Sequence, residues 1–336
     1  MVILTGARGY VKYDFEASYG SAVSGNANKR FGLQEKVTSW SLTNNRIVLP
    51  TLNQTEPEKF AYGQETGALS IGFVLSNPWI FGGLYGVPTA TGSSNDYTHT
   101  WQKSANKTKD VRSFTTEIGL QQPSANLART LKGCILRNFS ISTNVGAIVE
   151  CTTDIGYSNE DAPSTTFVSP VAGASDPTFP YTFAHATLKL NNTIVAKIQS
   201  ADISFNQNPD MLWGLGSHQA VDAYRRVFEI TGTFSASWVD KTLLDHILAQ
   251  VQIPNAASYE EVVGDKGSSS DPEIELKFTN GLATTAEKSI TITLTGVSPT
   301  EHSVSGLEPV EPVFEQIQWQ AKSAIITAGN SESSEM

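Results

Sequence analysis

Apolar and polar residues alternate in two segments, Ser200-Ala-Asp-Ile-Ser-Phe-Asn-Gln-Asn208 and Phe228-Glu-Ile-Thr-Gly-Thr-Phe-Ser-Ala-Ser-Trp238. In the first segment Ile203 and Phe205 share one phase, and polar side chains fill the other. Successive side chains of an extended chain point to opposite faces. The two segments therefore predict a pair of strands with one apolar face and one polar face.

A helix signal follows this pair of strands. Asp240 precedes apolar residues at helical spacing, namely Leu243, Leu244, Ile247, Leu248 and Val251. Aspartate is a preferred N-cap residue, because its carboxylate accepts hydrogen bonds from the first free backbone N–H groups of a helix. The segment 240–251 is therefore predicted to be a short capped helix.

The same order of features occurs 163 positions earlier (240 minus 77), where Asn77-Pro78 opens a helix-like segment that Gly86 ends. At this offset Trp40 and Leu42 correspond to Ile203 and Phe205, and the alternating run from Leu69 to Leu75 corresponds to residues 232–238. Few identical residues coincide, so the comparison depends on phase and order. It predicts a tandem duplication.

The expected fold class is mainly β, with two tandem β-sandwich or barrel-like domains, each with a short flanking helix. Ser, Thr, Asn and Gly are frequent, and long helical patterns are rare. The polar insertions 87–111 and 254–272 are too long for ordinary hairpin loops, and we expect them to make contacts between molecules or to remain solvent-exposed. The predicted parts are an N-terminal arm (1–36), the first domain (37–157), a linker (158–183), the second domain (184–328) and a loose tail (329–336).

The composition limits the function. A formal net charge of −10 argues against a surface that grips nucleic acid, because phosphate binding needs clustered Lys and Arg. Cys134 and Cys151 lie in apolar strand-like runs, so we interpret them as small buried side chains in preference to a disulfide. Neither a signal sequence nor a membrane-spanning apolar stretch is recognisable, and we expect synthesis in a host cytoplasm.

No catalytic constellation is recognisable in the sequence. The five histidines lack zinc-helix spacing, and neither a nucleophile elbow nor a phosphate-binding glycine loop is present. Glu150 and Asp154 would lie about 13 Å apart along one strand, which exceeds the separation that paired glycosidase carboxylates use. We therefore predict a protein that is not an enzyme and has no metal or cofactor.

Two long segments resemble the tail tube proteins of tailed phages and archaeal viruses. One runs from Ala186-Thr-Leu-Lys-Leu-Asn-Asn through residue 208 to Phe228–Trp238 and the helix 240–251. The other comprises Leu131-Lys-Gly-Cys-Ile-Leu-Arg-Asn-Phe-Ser-Ile-Ser-Thr and Gly146-Ala-Ile-Val-Glu-Cys-Thr-Thr-Asp-Ile-Gly-Tyr. The resemblance covers about residues 37 to 330, as an order of strands and turns.

The resemblance implies a major tail tube subunit of the virion, which assembles with itself and with other tail proteins. Such subunits stack as rings around a channel, and DNA passes through this channel during ejection without being bound. Single-domain members form hexamers, whereas duplicated members form trimers with pseudo-sixfold symmetry. The tandem copy favours a homotrimeric ring here, with a hexamer as the alternative.

Several acidic residues fall on the polar phase of predicted strands and are candidates for the channel wall, where negative charge would repel phosphate. Solubility accounts for the same acids without a channel, and the polar phase is also compatible with the outer surface of a tube. The predicted core lies on the apolar phase. The candidate channel residues are Glu117, Glu150, Asp154, Asp202, Glu229 and Glu275, and the candidate core residues are Trp40, Phe73, Phe228, Phe234, Trp238, Leu244 and Leu248.

Two other functions fit the same composition. One is a carbohydrate-binding or adhesive β-sandwich at a tail tip or fibre, which would expose grouped aromatic side chains. The other is the tube of a phage-like injection system, which the sequence does not distinguish from a viral tube.

Overall fold

The computed structural model describes most of the chain. The described residues are 9–23, 27, 29–50, 52, 55–93, 96–103, 112–120, 127–161, 180–190, 193–194, 198–237, 273–281, 288–306 and 313–330. The predicted helix at 240–251 and the insertion at 254–272 lie outside these residues.

The fold is mainly β and antiparallel, as the alternating sequence patterns predict. The first ten strands are β1 (Gly9–Phe15), β2 (Leu33–Asn44), β3 (Ile47–Leu49), β4 (Lys59–Ala61), β5 (Glu65–Val74), β6 (Thr89–Ser93), β7 (Asp96–Gln102), β8 (Phe114–Leu120), β9 (Leu127–Asn144) and β10 (Glu150–Tyr157). The other ten are β11 (Asn159–Glu160), β12 (Ala186–Leu190), β13 (Thr193–Ile194), β14 (Ile198–Asn206), β15 (Pro209–Trp213), β16 (Ala220–Arg225), β17 (Glu229–Ser237), β18 (Glu273–Thr279), β19 (Ser289–Ser305) and β20 (Phe314–Asn330).

The helical segment predicted after Asn77 is present. A 3-10 turn at Trp79–Phe81 continues into α1 (Gly82–Tyr85). The Asn77 side chain accepts a hydrogen bond from the backbone N–H of Trp79 at 3.3 Å, and Gly86 ends the helix at φ 86°. This positive φ favours glycine, because a side chain would be strained there.

Sixteen strands join one sheet with a main path β13-β12-β18-β19-β20-β17-β14-β9-β10-β5-β2. β9 is long enough to pair with two strands in succession along one of its edges. Its first half pairs with β8, and its second half pairs with β14, while β10 lies along the opposite edge. β1 extends the sheet beyond β8, and the hairpins β3–β4 and β15–β16 stand apart as two-stranded sheets.

Strand pairing in the second half of the chain follows the order seen in the first. The first order is β1-β8-β9-β10-β5-β2, and the second is β12-β18-β19-β20-β17-β14. Trp40 opposes Leu69, and Ile203 opposes Gly232, both 163 positions further on (203 minus 40 and 232 minus 69).

Irregular features of the two halves also correspond. Ile47 opposes Ala61 in one hairpin, and Asp210 opposes Tyr224 in the other, again 163 positions on (210 minus 47 and 224 minus 61). β9 skips one residue at 137 in its pairing with β10, and β19 skips the equivalent residue 300 in its pairing with β20. The register shift therefore falls at the same offset.

The core lies under the apolar face of the sheet. α1 and the 3-10 turn cover it, with Trp79, Phe81 and Leu84 buried. Cys134 and Cys151 are free thiols buried in the same cluster, as predicted for small apolar side chains. Burial raises the pKa of the Cys151 thiol, because the thiolate would lose its hydration there.

Two segments differ from what their polar composition indicated. Part of the expected N-terminal arm is strand β1, and its Val11 and Tyr13 side chains are buried. Part of the expected 87–111 loop is the hairpin β6–β7, whose second strand pairs with β20 and buries Trp101. Long-range strand pairing satisfies the backbone of both segments, and local composition does not encode such pairing.

Among the described residues, no helix is long and apolar enough to cross a membrane. The described part of the chain also contains no cluster of three or more His, Cys, Asp or Glu side chains arranged to hold a metal ion.

Candidate functional surface

One continuous polar face, called the polar face below, extends across strands β10, β9, β14, β17 and β20. Directly paired residues of neighbouring strands share a face, so the strand registers define it. Its rows are Asp154, Asn138, Asn206 and Glu229; Thr152, Ser140, Ser204, Thr231 and Gln320; and Glu150, Ser142, Asp202, Thr233 and Gln318.

The opposite face of the same strands is apolar. One row contains Cys151, Ile141, Ile203 and Trp319, and all four side chains are buried. The alternation in each strand therefore places hydroxyl, amide and carboxyl groups on one side and the core on the other. Burial of the apolar side fixes the register, because a slip of one residue would exchange the two faces.

The polar face is concave where β9, β14, β17 and β20 meet, and it forms an open pocket of about 410 Å³. Hydrogen bonds connect side chains across this surface. Ser204 donates to the Asn138 side chain at 2.9 Å, and Thr233 donates to the Asp202 carboxylate at 3.4 Å. The surface is therefore held in place by its own cross-strand contacts.

Charges on the polar face are mainly negative. Glu150 and Asp154 are exposed, and Asp202 and Glu229 are half-buried. The face continues onto β19, where Glu301 opposes Gln318 and is also exposed. Two cations lie at its margins, Lys36 on β2 and Lys322 on β20.

A scan against protein-family models gives the decisive comparison. The model described as phage tail tube protein matches residues 6–321. The chain belongs to the phage tail tube family. It is therefore a structural component of a virion tail, with copies of itself and other tail proteins as partners. A search of curated proteins gave no match.

The tail tube protein brings four of the six predicted acidic residues together. Glu150, Asp154, Asp202 and Glu229 all lie on the polar face. The other two, Glu117 and Glu275, lie outside it. Glu117 is buried and accepts a hydrogen bond from the Tyr10 hydroxyl, whereas Glu275 forms a 2.6 Å ion pair with Lys189.

Glu117 and Glu275 occupy similar environments in the two halves. Glu117 on β8 opposes Lys12 on β1, and Glu275 on β18 opposes Lys189 on β12. Burial lowers the pKa of the Lys12 ammonium, and the negative charge of Glu117 counteracts this effect. Each of these two acids is therefore opposite a lysine on the neighbouring strand.

The predicted core residues have different environments. Phe73 and Phe234 are buried. Phe228 is partly buried, and its ring meets the Tyr85 ring edge-on at 5.4 Å. The predicted core residues Trp238, Leu244 and Leu248 lie outside the described residues.

Trp40 departs from its predicted core position, since it remains 36% exposed in the single chain. Its indole N–H donates to the Tyr157 hydroxyl at 3.1 Å, and the Tyr157 hydroxyl is also 2.9 Å from the Ser41 carbonyl. Burial raises the pKa of Tyr157, so the hydroxyl keeps its proton as a donor. Trp40 is exposed because β2 ends the main path of the sheet, so its side chains are covered from one direction only.

The β3–β4 hairpin was not predicted from the sequence. Its apolar side chains Ile47, Val48, Leu49 and Phe60 are all exposed, and Tyr62 follows directly. The signal was present in the apolar run Ile47-Val-Leu49 and in Phe60, which are unusual in a surface loop. Glu301 is a further acidic residue of the polar face, and it was not among the candidate channel residues.

Proposed function

We propose that this protein is the major tail tube subunit and that it forms stacked rings around a channel for genome passage. The polar face carries this proposal, because it runs without interruption from β10 in the first half to β20 in the second. A channel wall needs a hydrated surface of this kind over its whole circumference. Burial of the opposite face under α1 gives the subunit a solid outer layer.

We also propose that the chain consists of two copies of one domain. The repeated pairing order, the offset of 163 in two strand pairs and two hairpins, the shared register shift and the similarly placed Lys–Glu pairs support this duplication. Six copies would then complete a ring from three chains. A homotrimer with pseudo-sixfold symmetry is the expected state, and a hexamer of whole chains is the alternative.

The charge of the polar face suits the passage of DNA. Carboxylates repel phosphates, whereas clustered Lys and Arg would release counterions and bind the backbone. Glu150, Asp154, Asp202 and Glu229 thus provide a wall along which DNA slides without specific contacts. Hydroxyl and amide groups between them keep the wall hydrated.

Negative-stain microscopy of the purified protein at increasing concentration tests this function. Rings or tubes with an open centre are the expected result, and mass photometry should show a species of three chains. A protein that remains monomeric at high concentration, or that forms solid fibres, would contradict the proposal. A species of six chains would support the tube and reject the trimeric ring.

One observation favours a second function, an adhesive tail-tip or fibre protein. Phe60 is 60% exposed, and Tyr62 lies close to it at the base of the same hairpin, which resembles the grouped aromatics of a sugar-binding surface. Monomers that bind glycans in an array would support this alternative. A tube from a phage-like injection system would give the same micrographs, and the neighbouring genes would distinguish it.

A further inference from the structure

A joint inside the chain connects its two halves, and it consists of β14 paired with the second half of β9. Phe205 opposes Phe139, Ser204 opposes Ser140, and Ile203 opposes Ile141. The backbone N–H of Gln207 donates to the Arg137 carbonyl at 2.9 Å, and the Gln207 side chain donates to the Gly83 carbonyl at 2.8 Å. Apolar residues and backbone hydrogen bonds therefore hold the first half to the second.

The β15–β16 hairpin forms the second part of this internal joint. Met211 and Ala223 oppose each other on the hairpin and pack with Ile135 of β9 in one buried cluster. The Arg225 guanidinium donates to the Leu84 carbonyl at the end of α1. A strand followed by a hairpin thus covers the neighbouring half.

The equivalent strand and hairpin of the first half have no such cover within the described residues. Trp40 and Leu42 are 36% and 44% exposed, although their counterparts Ile203 and Phe205 are buried. Val48 and Phe60 are 50% and 60% exposed, although their counterparts Met211 and Ala223 are buried. Together, β2 and the β3–β4 hairpin form an apolar surface, called the donor edge below.

A matching acceptor exists at the other end of the chain. β19 pairs with β18 over its first half, as β9 pairs with β8, and both long strands have a partner along the opposite edge. The second half of β9 then receives β14. Among the described strands, none pairs with the corresponding edge of β19 at residues 297–305, which we call the acceptor edge.

We propose that the donor edge of one chain pairs with the acceptor edge of a second copy, antiparallel and in the register of the internal joint. The inference rests on the proposed duplication and tube function, and it adds the partner surface and the pairing. Applying the 163-residue offset to Phe205–Phe139, Ser204–Ser140 and Ile203–Ile141 pairs Leu42 with His302, Ser41 with Ser303 and Trp40 with Val304.

The chemistry of the two edges suits this pairing. An uncovered edge strand presents unpaired N–H and C=O groups, and a second strand satisfies them while it extends the sheet. Ser41 and Ser303 would continue the polar face, as Ser204 and Ser140 do inside the chain. Leu42 and Trp40 would lie on the core side, where Phe205 and Ile203 already lie. The same register thus continues both faces from one chain into the next.

Disulfide trapping tests the register. Ser41→Cys and Ser303→Cys are introduced on separate chains, which are mixed and oxidised before non-reducing electrophoresis. Paired residues of antiparallel strands have Cα atoms about 4.5 to 5.5 Å apart, within the range that a disulfide spans. Ser140→Cys with Ser204→Cys in one chain is the positive control, because this pair is already opposed. Val304→Cys in place of Ser303→Cys shifts the register by one residue and is the negative control.

Dimers from the mixed Ser41→Cys and Ser303→Cys chains, at least tenfold more abundant than with Val304→Cys, are the expected result. A chain carrying both cysteines should yield a covalent multimer. Rings in micrographs without this cross-link, while the internal control oxidises, would overturn the inference and leave the tube function intact. Absence of both rings and cross-link would reject both. Cross-linking within one chain only would also overturn the inference, since the two edges would then meet without a second copy.

Discussion

Replacing Leu42 with aspartate should prevent assembly while the single chain still folds. Leu42 is 44% exposed on the outermost strand of the main sheet path, so a polar residue there disturbs little of the core. In the proposed joint this exposed fraction would be buried, which stabilises the joint by about 1 kcal/mol, since complete burial of Leu is worth about 1.5–3 kcal/mol. A carboxylate at this point would also lose hydration, and it would lie opposite His302, whose ring nitrogen Nε2 is already 3.3 Å from the Glu315 carboxylate, for a total cost of roughly 3 kcal/mol per joint.

A cost of this size corresponds to an increase of about 100-fold in the concentration needed for association. Sedimentation velocity over a dilution series measures that concentration, and thermal unfolding at a concentration below assembly measures the single chain. Leu212→Asp is the matched control, because Leu212 is 43% exposed on the β15–β16 hairpin and lies outside the proposed contact between the donor edge and the acceptor edge of two chains. Equal effects of Leu42→Asp and Leu212→Asp on assembly would refute the reasoning, as would unfolding of the Leu42→Asp chain.

Three further predictions address the core, the channel and the pH dependence. Phe73→Ala should lower the free energy of unfolding by about 3–5 kcal/mol in urea titrations, because it leaves a cavity under the sheet. The exposed Phe60 is the control, since Phe60→Ala should change the free energy of unfolding of the single chain little and should weaken assembly in sedimentation velocity. Glu150→Lys with Asp154→Lys should make tubes bind DNA, and each new phosphate contact should steepen the slope of log affinity against log salt concentration by about 0.9. The control Glu56→Lys with Glu58→Lys adds the same charge elsewhere and should bind DNA less in filter-binding assays over a salt series. Equal DNA binding by the two variants would contradict the assignment of the polar face to the channel wall. Burial raises the pKa of Glu35 from 4.5 to about 7, so the carboxyl loses its proton at lower pH in the unfolded chain than in the folded one. The free energy of unfolding should therefore fall as the pH rises from about 4.5 to 7 and then level off. Urea titrations at pH 5 and pH 8 should show a smaller fall for Glu35→Gln, and an unchanged fall would show that Glu35 is not its source.

Local patterns were sufficient for the fold class and for strands such as β5, β14 and β17. β10 and β20 alternate so regularly between exposed and buried residues that period alone locates them, and Gly86 marks the end of α1 by its positive φ. Four of the six proposed acidic residues lie on one face for the same reason, because alternation along a strand determines which side of the strand each residue is on. Glu117 and Glu275 lie elsewhere because alternation does not determine where in the sheet a strand is placed.

The strands β1 and β7 were missed for a different reason. Their partners β8 and β20 are distant in sequence. Both strands contain strand-prone residues, since β1 reads Gly-Tyr-Val-Lys-Tyr-Asp-Phe and β7 reads Asp-Tyr-Thr-His-Thr-Trp-Gln, but each is only seven residues long and lies within a longer segment rich in Gly, Ser, Ala and Asn. Composition averaged over the longer segment therefore hides the short strand, and only the distant pairing identifies it.

Trp40 and Leu42 connect these observations to assembly. Their apolar phase predicts a buried strand, yet β2 has a described neighbour, β5, along one edge only. Their counterparts Ile203 and Phe205 have the same phase and are buried, because β9 supplies the second neighbour. The two strands have the same alternation of apolar residues but different side-chain exposure, so the exposure depends on the missing neighbouring strand and not on the sequence of β2. In the proposed tube the acceptor edge of another copy would supply that neighbour, and this pairing would account for the apolar phase of β2.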